Sequence, residues 1–184
     1  MVPLDLGCIA TVPTSGATGE SQKEPPLMAT PDHLSDIRLL PDLRVTEVEA
    51  GTPSFEDNGN EANVPLKVTI KNFGGSTSNS FKISTDVIVG DGGRFVNPFS
   101  VPGQDDVWYP WQEGLGAGKE ATFSGDLHIG HPSGTTLVGE VATIIATADS
   151  CSGDEFMPDY CRVEESNEEN NEMGMCLASF NQHQ

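Results

Sequence analysis

The residues best equipped for chemistry crowd into one run near the end of the 184-residue chain. Asp149, Asp154, Glu155, Asp159, Glu164, Glu165 and Glu168 share a single segment, in which Arg162 is the one basic side chain. Hard oxygen donors of mixed carboxylate character suit Ca²⁺. The run matches neither a twelve-residue EF-hand loop nor an Asp-x-Asp-x-Asp ladder. Unpaired carboxylates also resist leaving water, so the competing expectation is a solvated turn at the rim of a sheet. Asp57, Asn58, Asn60 and Glu61 form a second, smaller oxygen-rich cluster.

Other chemistry is thinner. The histidines His33, His128, His131 and His183 are scattered. Gly130-His131-Pro132-Ser133-Gly134 has the residues of a nucleophile elbow, but its serine is misplaced and no helical pattern follows. With carboxylates so abundant, no pair is singled out as acid and base. The expectation is a protein that is not an enzyme and needs no cofactor beyond Ca²⁺. Four cysteines, Cys8, Cys151, Cys161 and Cys176, contain no C-x-x-C spacing, which disfavours structural zinc. Their even number and wide spacing favour disulfides and an extracellular or cell-surface setting. Cys151 and Cys161 flank one short acidic loop and are expected to pair; Cys8 and Cys176 would then pair together or with another chain.

Aromatic residues form a third feature. Phe95, Phe99, Trp108, Tyr109 and Trp111 lie in one stretch with Pro98, Pro102 and Pro110, and it holds both tryptophans of the chain. Trp108, Tyr109 and Trp111 are candidate binding residues that could stack on sugar faces or anchor a protein neighbour. Alternatively, they fold the stretch back onto the core.

Charge narrows the partners. Nine Lys and Arg oppose 28 Asp and Glu, a net −19 with pI near 4.2. Such a field repels phosphate backbones and anionic membrane surfaces, leaving divalent cations and basic protein surfaces as natural counterparts. The same surface would also keep a protein soluble in salt. No run of 18 apolar residues could span a membrane.

The elements that must carry these groups read as strands. Residues 1–40 form an arm in which Leu4, Leu6, Cys8, Ala10 and Val12 alternate, followed by a Ser-, Thr-, Gly- and Pro-rich tether. The arm could add a strand to its own domain or to another subunit, making a homo-oligomer. Residues 41–184 are expected to form one domain. Leu43 to Val48 reads as its first strand, with a phase change near Glu47 that predicts a bulge. Val64, Leu66, Val68 and Ile70 alternate, as do Phe81, Ile83, Thr85, Val87 and Val89. A turn at Gly90-Asp91-Gly92-Gly93 leads to a further strand over Arg94 to Val101. Ala121, Phe123, Leu127 and Ile129 mark the next, Gly139 to Ala148 reads as a central strand apolar on both faces, and Met173, Met175 and Leu177 close the series. About seven short antiparallel strands, each with one apolar face, predict an all-β, two-sheet sandwich.

Five motifs in order add a resemblance. Pro41-Asp42-Leu43-x-Val45, Val68-x-Ile70-Lys71-Asn72-Phe73-Gly74, Leu115-x-Ala117-Gly118, Ala148-Asp149 and Glu165-Ser166-Asn167 are together similar to the CARDB family of bacterial cell-adhesion-related domains. The resemblance spans about residues 41–180 and implies an immunoglobulin-like antiparallel sandwich with roles in adhesion or surface assembly. The stretch from Gly90 to Gln112 and the loop from Cys151 to Cys161 depart from that pattern. Two further readings stand beside it: a calcium-assisted carbohydrate-binding module using the aromatic stretch, and an accessory domain of a secreted enzyme.

Overall fold

The computed structural model describes residues 39–56, 59–131, 133–150, 163–177 and 180. The arm, Cys8, Cys151, Cys161, Asp154, Glu155, Asp159, His33 and His183 lie outside them, as do Asp57 and Asn58. Two antiparallel sheets face each other across one apolar core. The first contains β1 (Leu43–Ala50), β2 (Ser54–Glu56), β3 (Glu61–Asn72), β6 (Phe99–Ser100) and β8 (Glu120–Gly130), in the order β1-β3-β8-β6 with β2 also on β3. The second contains β4 (Phe81–Val89), β5 (Arg94–Val96), β7 (Trp111–Gln112), β9 (Ala142–Ala148) and β10 (Glu172–Leu177), ordered β10-β9-β4-β5 with β7 also on β4. The chain is thus an all-β sandwich.

Period-two alternation makes the long strands. Along β3, Ala62, Val64, Leu66, Val68 and Ile70 are buried, and along β8 so are Phe123, Leu127 and Ile129. Each such side chain, fully buried, stabilises by roughly 1.5–3 kcal/mol before entropy is counted. Across the core, Phe81, Ile83, Val87 and Val89 of β4 meet Ala142, Ile144, Ala146 and Ala148 of β9. The register between β1 and β3 shifts at Val45/Glu47, which is the bulge expected from the phase change.

Three expectations change. The described residues form ten strand segments, more than the about seven read from pattern. β9 is central, between β10 and β4, but covers only Ala142–Ala148 instead of Gly139 to Ala148, with side chains that alternate between buried and half-buried. The predicted strand over Arg94 to Val101 is two short pieces in different sheets: β5 pairs with β4, and β6 pairs with β8. Asn97 and Pro98 make that switch. Asn97 donates its backbone N–H to the Thr85 carbonyl at 2.8 Å, while its Nδ2 donates to the His128 carbonyl at 3.1 Å. One residue therefore touches both sheets, and Pro98, lacking an N–H, donates to neither ladder, though its carbonyl accepts from His128 N–H at 2.9 Å.

The crossing needs a gap. Gly125, on the core side of β8, supplies it. A Cβ on Gly125 would lie 2.0 Å from the Ser100 carbonyl oxygen and 3.0 Å from Val101 Cα. The backbone leaving β6 occupies the space a side chain would fill, so only glycine fits.

Candidate metal centre

The start of β1, the end of β3 and the turn before β8 meet around Asn72, which is fully buried. Its Oδ1 accepts from the N–H groups of Asp42 (3.1 Å) and Gly74 (2.9 Å). Its Nδ2 donates to the carbonyls of Ser76 (2.8 Å) and Leu115 (2.7 Å). Its own backbone bonds Lys119 and Gly118. At Gly74 a Cβ would lie 2.2 Å from the Leu40 carbonyl oxygen, so the segment before β1 passes directly over it. Three of the sequence motifs therefore serve one purpose: they hold the start of β1.

The acidic segment is stitched to the same place. Ser166 N–H donates to the Pro41 carbonyl at 2.9 Å, and Leu43 N–H donates to Glu165 Oε2. Asn171 Nδ2 donates to Glu165 Oε1 at 3.0 Å, and Asn170 Nδ2 to Asp42 Oδ1, also at 3.0 Å. Val163 N–H reaches back to Asp149 Oδ2 at 3.0 Å, and Glu165 N–H donates to Glu168 Oε1 at 2.8 Å. Asp149, just past β9, adopts φ 50°, a left-handed conformation that aspartate tolerates better than most residues. The result is a cluster in which one carboxylate oxygen each from Asp149, Glu165 and Glu168 lies within 4.8 Å of the others.

This corrects the picture of a wholly solvated turn. Asp149 is 3% exposed and Glu165 6%. Burial is tolerated because backbone and amide donors point at both groups. Glu164 does not join them. It is exposed between buried Val163 and buried Glu165, since backbone alternation turns it outward. Glu168, on the solvent side, completes the cluster. Asn170 and Asn171 contribute what carboxylate counting cannot reveal; their only sequence signal is the Glu-x-Asn-Asn string.

The electrostatics are one-sided. Burial is the main force raising Glu165 to about 8; its bond from Leu43 opposes the shift, while Glu168 and Asp149 reinforce it and Asn171 opposes it. By contrast, the Arg44 guanidinium, bonded at 2.5 Å, holds Asp42 below its usual range, with help from Asn170. The donor set also fits a hard cation. Asn171, 8% exposed, touches Glu165 through Nδ2, while its Oδ1 is buried with no hydrogen-bond partner among the described residues. Three converging carboxylates are a hard-oxygen ligand set for Ca²⁺ or Mg²⁺.

A pH dependence follows. Glu165 holds its proton more tightly folded (about 8) than unfolded (ordinary value 4.5), so its favourable contribution is full below about 4.5 and is lost as pH rises through 8. In chelator, the melting temperature should fall between pH 5 and pH 8, reflecting a loss on the order of 2 kcal/mol after allowance for solvent screening. Glu165→Gln should flatten that slope, because Gln keeps an acceptor for Leu43 and a turned Asn171 amide can accept from it. An equally steep slope in the variant would assign the effect elsewhere.

The remaining candidates are placed plainly. His128 faces outward on β8, its Nδ1 3.0 Å from Asn63 Oδ1, and His131 sits in a turn with Ser133 and Thr135. Cys176 is half-buried and has no disulfide partner among the described residues, and its Sγ lies 3.8 Å from Thr143 Oγ1. Trp108 and Trp111 are 48% and 44% exposed, so they do not fold the 90–112 stretch onto the core; fully buried Phe99 does that. Tyr109 is half-buried, with Lys82 Nζ 5.5 Å from its ring centre.

No family model and no curated protein matches the sequence. Among solved structures, the CARDB domain of a Pyrococcus furiosus protein, crystallised in complex with di-metal ions, is similar over 76% of this chain and 88% of its own, at 21% identity and a TM-score of 0.39. A β-glucosidase from Paenibacillus barengoltzii is similar over 73% of this chain and 14% of its own, at 13% identity and a TM-score of 0.33.

Proposed function

We propose that this β-sandwich is a non-enzymatic, extracellular module for adhesion or surface assembly, and that a calcium ion completes the junction between its acidic segment and the start of β1. The observation that carries the cation is the convergence of Asp149, Glu165 and Glu168 within 4.8 Å, with two of the three buried. Ionised together, charges so placed would repel, which helps hold the proton on Glu165, and a divalent cation would turn that repulsion into attraction. Turning the Asn171 amide, whose Nδ2 meets Glu165 Oε1 at 3.0 Å, would present its unpartnered Oδ1 as a further oxygen ligand. Calcium is preferred over magnesium because it accepts irregular, mixed carboxylate and amide oxygen sets. The adhesion role draws its support from the ordered CARDB-like motifs, and the extracellular setting from the even cysteine count and a net charge of −19.

In this reading the ion is structural: it fastens β9, β10 and β1 at one end of the sandwich. Millimolar Ca²⁺ should raise the melting temperature well beyond NaCl of equal ionic strength, since site binding at a hundredfold excess over Kd adds about 2.7 kcal/mol. Asp149→Asn combined with Glu165→Gln should erase the difference between the salts. Matching shifts in the unaltered protein would mean general screening of −19 and would sink the cation site.

A further inference from the structure

We propose that the loop bearing Trp108 and Trp111 is a binding platform for neutral polysaccharide. The loop is held firmly from below, and none of its anchors uses an indole ring. Phe99 is fully buried, and its N–H donates to the Val107 carbonyl at 2.6 Å. The Ile83 N–H donates to the Pro110 carbonyl at 2.8 Å, tying the loop to β4. Asp106 Oδ1 accepts from the N–H groups of both Trp108 and Tyr109 at 3.0 Å. Gln104 clamps the Trp111 backbone with both ends of its amide, at 3.2 and 3.3 Å. The two residues are left 48% and 44% exposed, and neither indole N–H has a hydrogen-bond partner among the described residues. A loop free to move would fold such large apolar faces inward; this one is fastened with both outward.

The surroundings select the ligand class. Asp105 and Glu113 flank the tryptophans in sequence, and neither carboxylate has a hydrogen bond or ion pair among the described residues. Sugars present apolar C–H faces for flat rings and hydroxyls that donate to such acceptors. The net charge of −19 repels acidic glycans, leaving neutral ones. The platform adjoins the cation site, since Ser150 N–H donates to the Lys82 carbonyl at 2.9 Å and Lys82 pairs with Trp111. Nothing in the platform requires a metal, so chelator in the assay keeps the two proposals apart.

The test is affinity electrophoresis of the full chain, in EGTA, through gels containing barley β-glucan, xyloglucan, xylan or galactomannan, with sedimentation onto cellulose and polygalacturonate as the acidic control. At least one neutral polysaccharide should bind. Trp108→Ala and Trp111→Ala should each weaken it roughly tenfold or more, with melting curves unchanged because both rings are exposed. Phe73→Ala, removing a comparably exposed aromatic elsewhere (50%), should leave binding intact. Should a tryptophan variant melt early, quenching of the unaltered protein's tryptophan fluorescence by the bound polysaccharide serves as the readout. No binding across the neutral panel, equal binding of polygalacturonate, or binding that survives loss of both tryptophans would overturn the proposal. So would a concentration-dependent dimer abolished by the tryptophan variants, which would reassign the patch to self-association.

Discussion

Replacing Asn72 by alanine should destabilise the domain by about 4 kcal/mol, lowering its melting temperature by more than 10 °C. The side chain joins Asp42, Gly74, Ser76 and Leu115 through four hydrogen bonds in a fully buried setting. Truncation strands two donors and two acceptors away from water, each costing roughly 1–3 kcal/mol where no water replaces it. Asn72→Asp should be no milder, because it turns two donated bonds into repulsions and buries a charge. Thermal denaturation followed by circular dichroism measures both. A loss under about 1 kcal/mol would show that water fills the gap and that Asn72 is no hub.

Gly125→Ala should cost about 3 kcal/mol. The added methyl would sit 2.0 Å from the Ser100 carbonyl oxygen, a backbone atom that cannot rotate away as a flexible side chain would. Relief requires β6 to leave β8, and that movement drags Phe99 from the core. Chemical denaturation should therefore show a lower midpoint with a similar slope. An unchanged midpoint would mean that the crossing chain lies farther from β8.

Pattern made much of this fold readable. Val64 through Ile70 alternates without interruption, Phe81 through Val89 keeps Phe81, Ile83, Val87 and Val89 in one phase, and these runs form β3 and β4. The bulge at Glu47 was visible because a phase change in alternation has few other causes. The split of β5 from β6 was not visible. Phe95, Phe99 and Val101 share one parity across Asn97 and Pro98, while the change of sheet depends on hydrogen bonds to Thr85 and His128, distant in sequence.

The candidate site was half legible. Composition locates the carboxylates, and Asp149, Glu165 and Glu168 do gather. It cannot tell which are buried, since that depends on donors elsewhere: Leu43 lies 122 residues from Glu165. Glu164 shows the same limit from the other side, being one position from a ligand candidate yet facing water. The motifs that carry the family resemblance turn out to be the stitching of one end of the sandwich. They speak to how the domain is built.

The placement of the first and last strands has a mechanical consequence. β1 begins at the end of the sandwich where Asp149 and Glu165 lie, whereas β10 starts there at Glu172 and runs away to Leu177, opposite Ala142. Tension applied at Leu43 and at Leu177 pulls along the strand axes. The ladders of β1 with β3 and of β10 with β9 would then bear load in shear, many hydrogen bonds at once, instead of unzipping one by one. Bonds donated by Leu43 N–H to Glu165 and by Ser166 N–H to the Pro41 carbonyl fasten the loaded end of β1 to the far sheet's connecting segment. A module wired this way resists extension by slow unfolding under force, and an ion bound at its loaded end would act as a rivet.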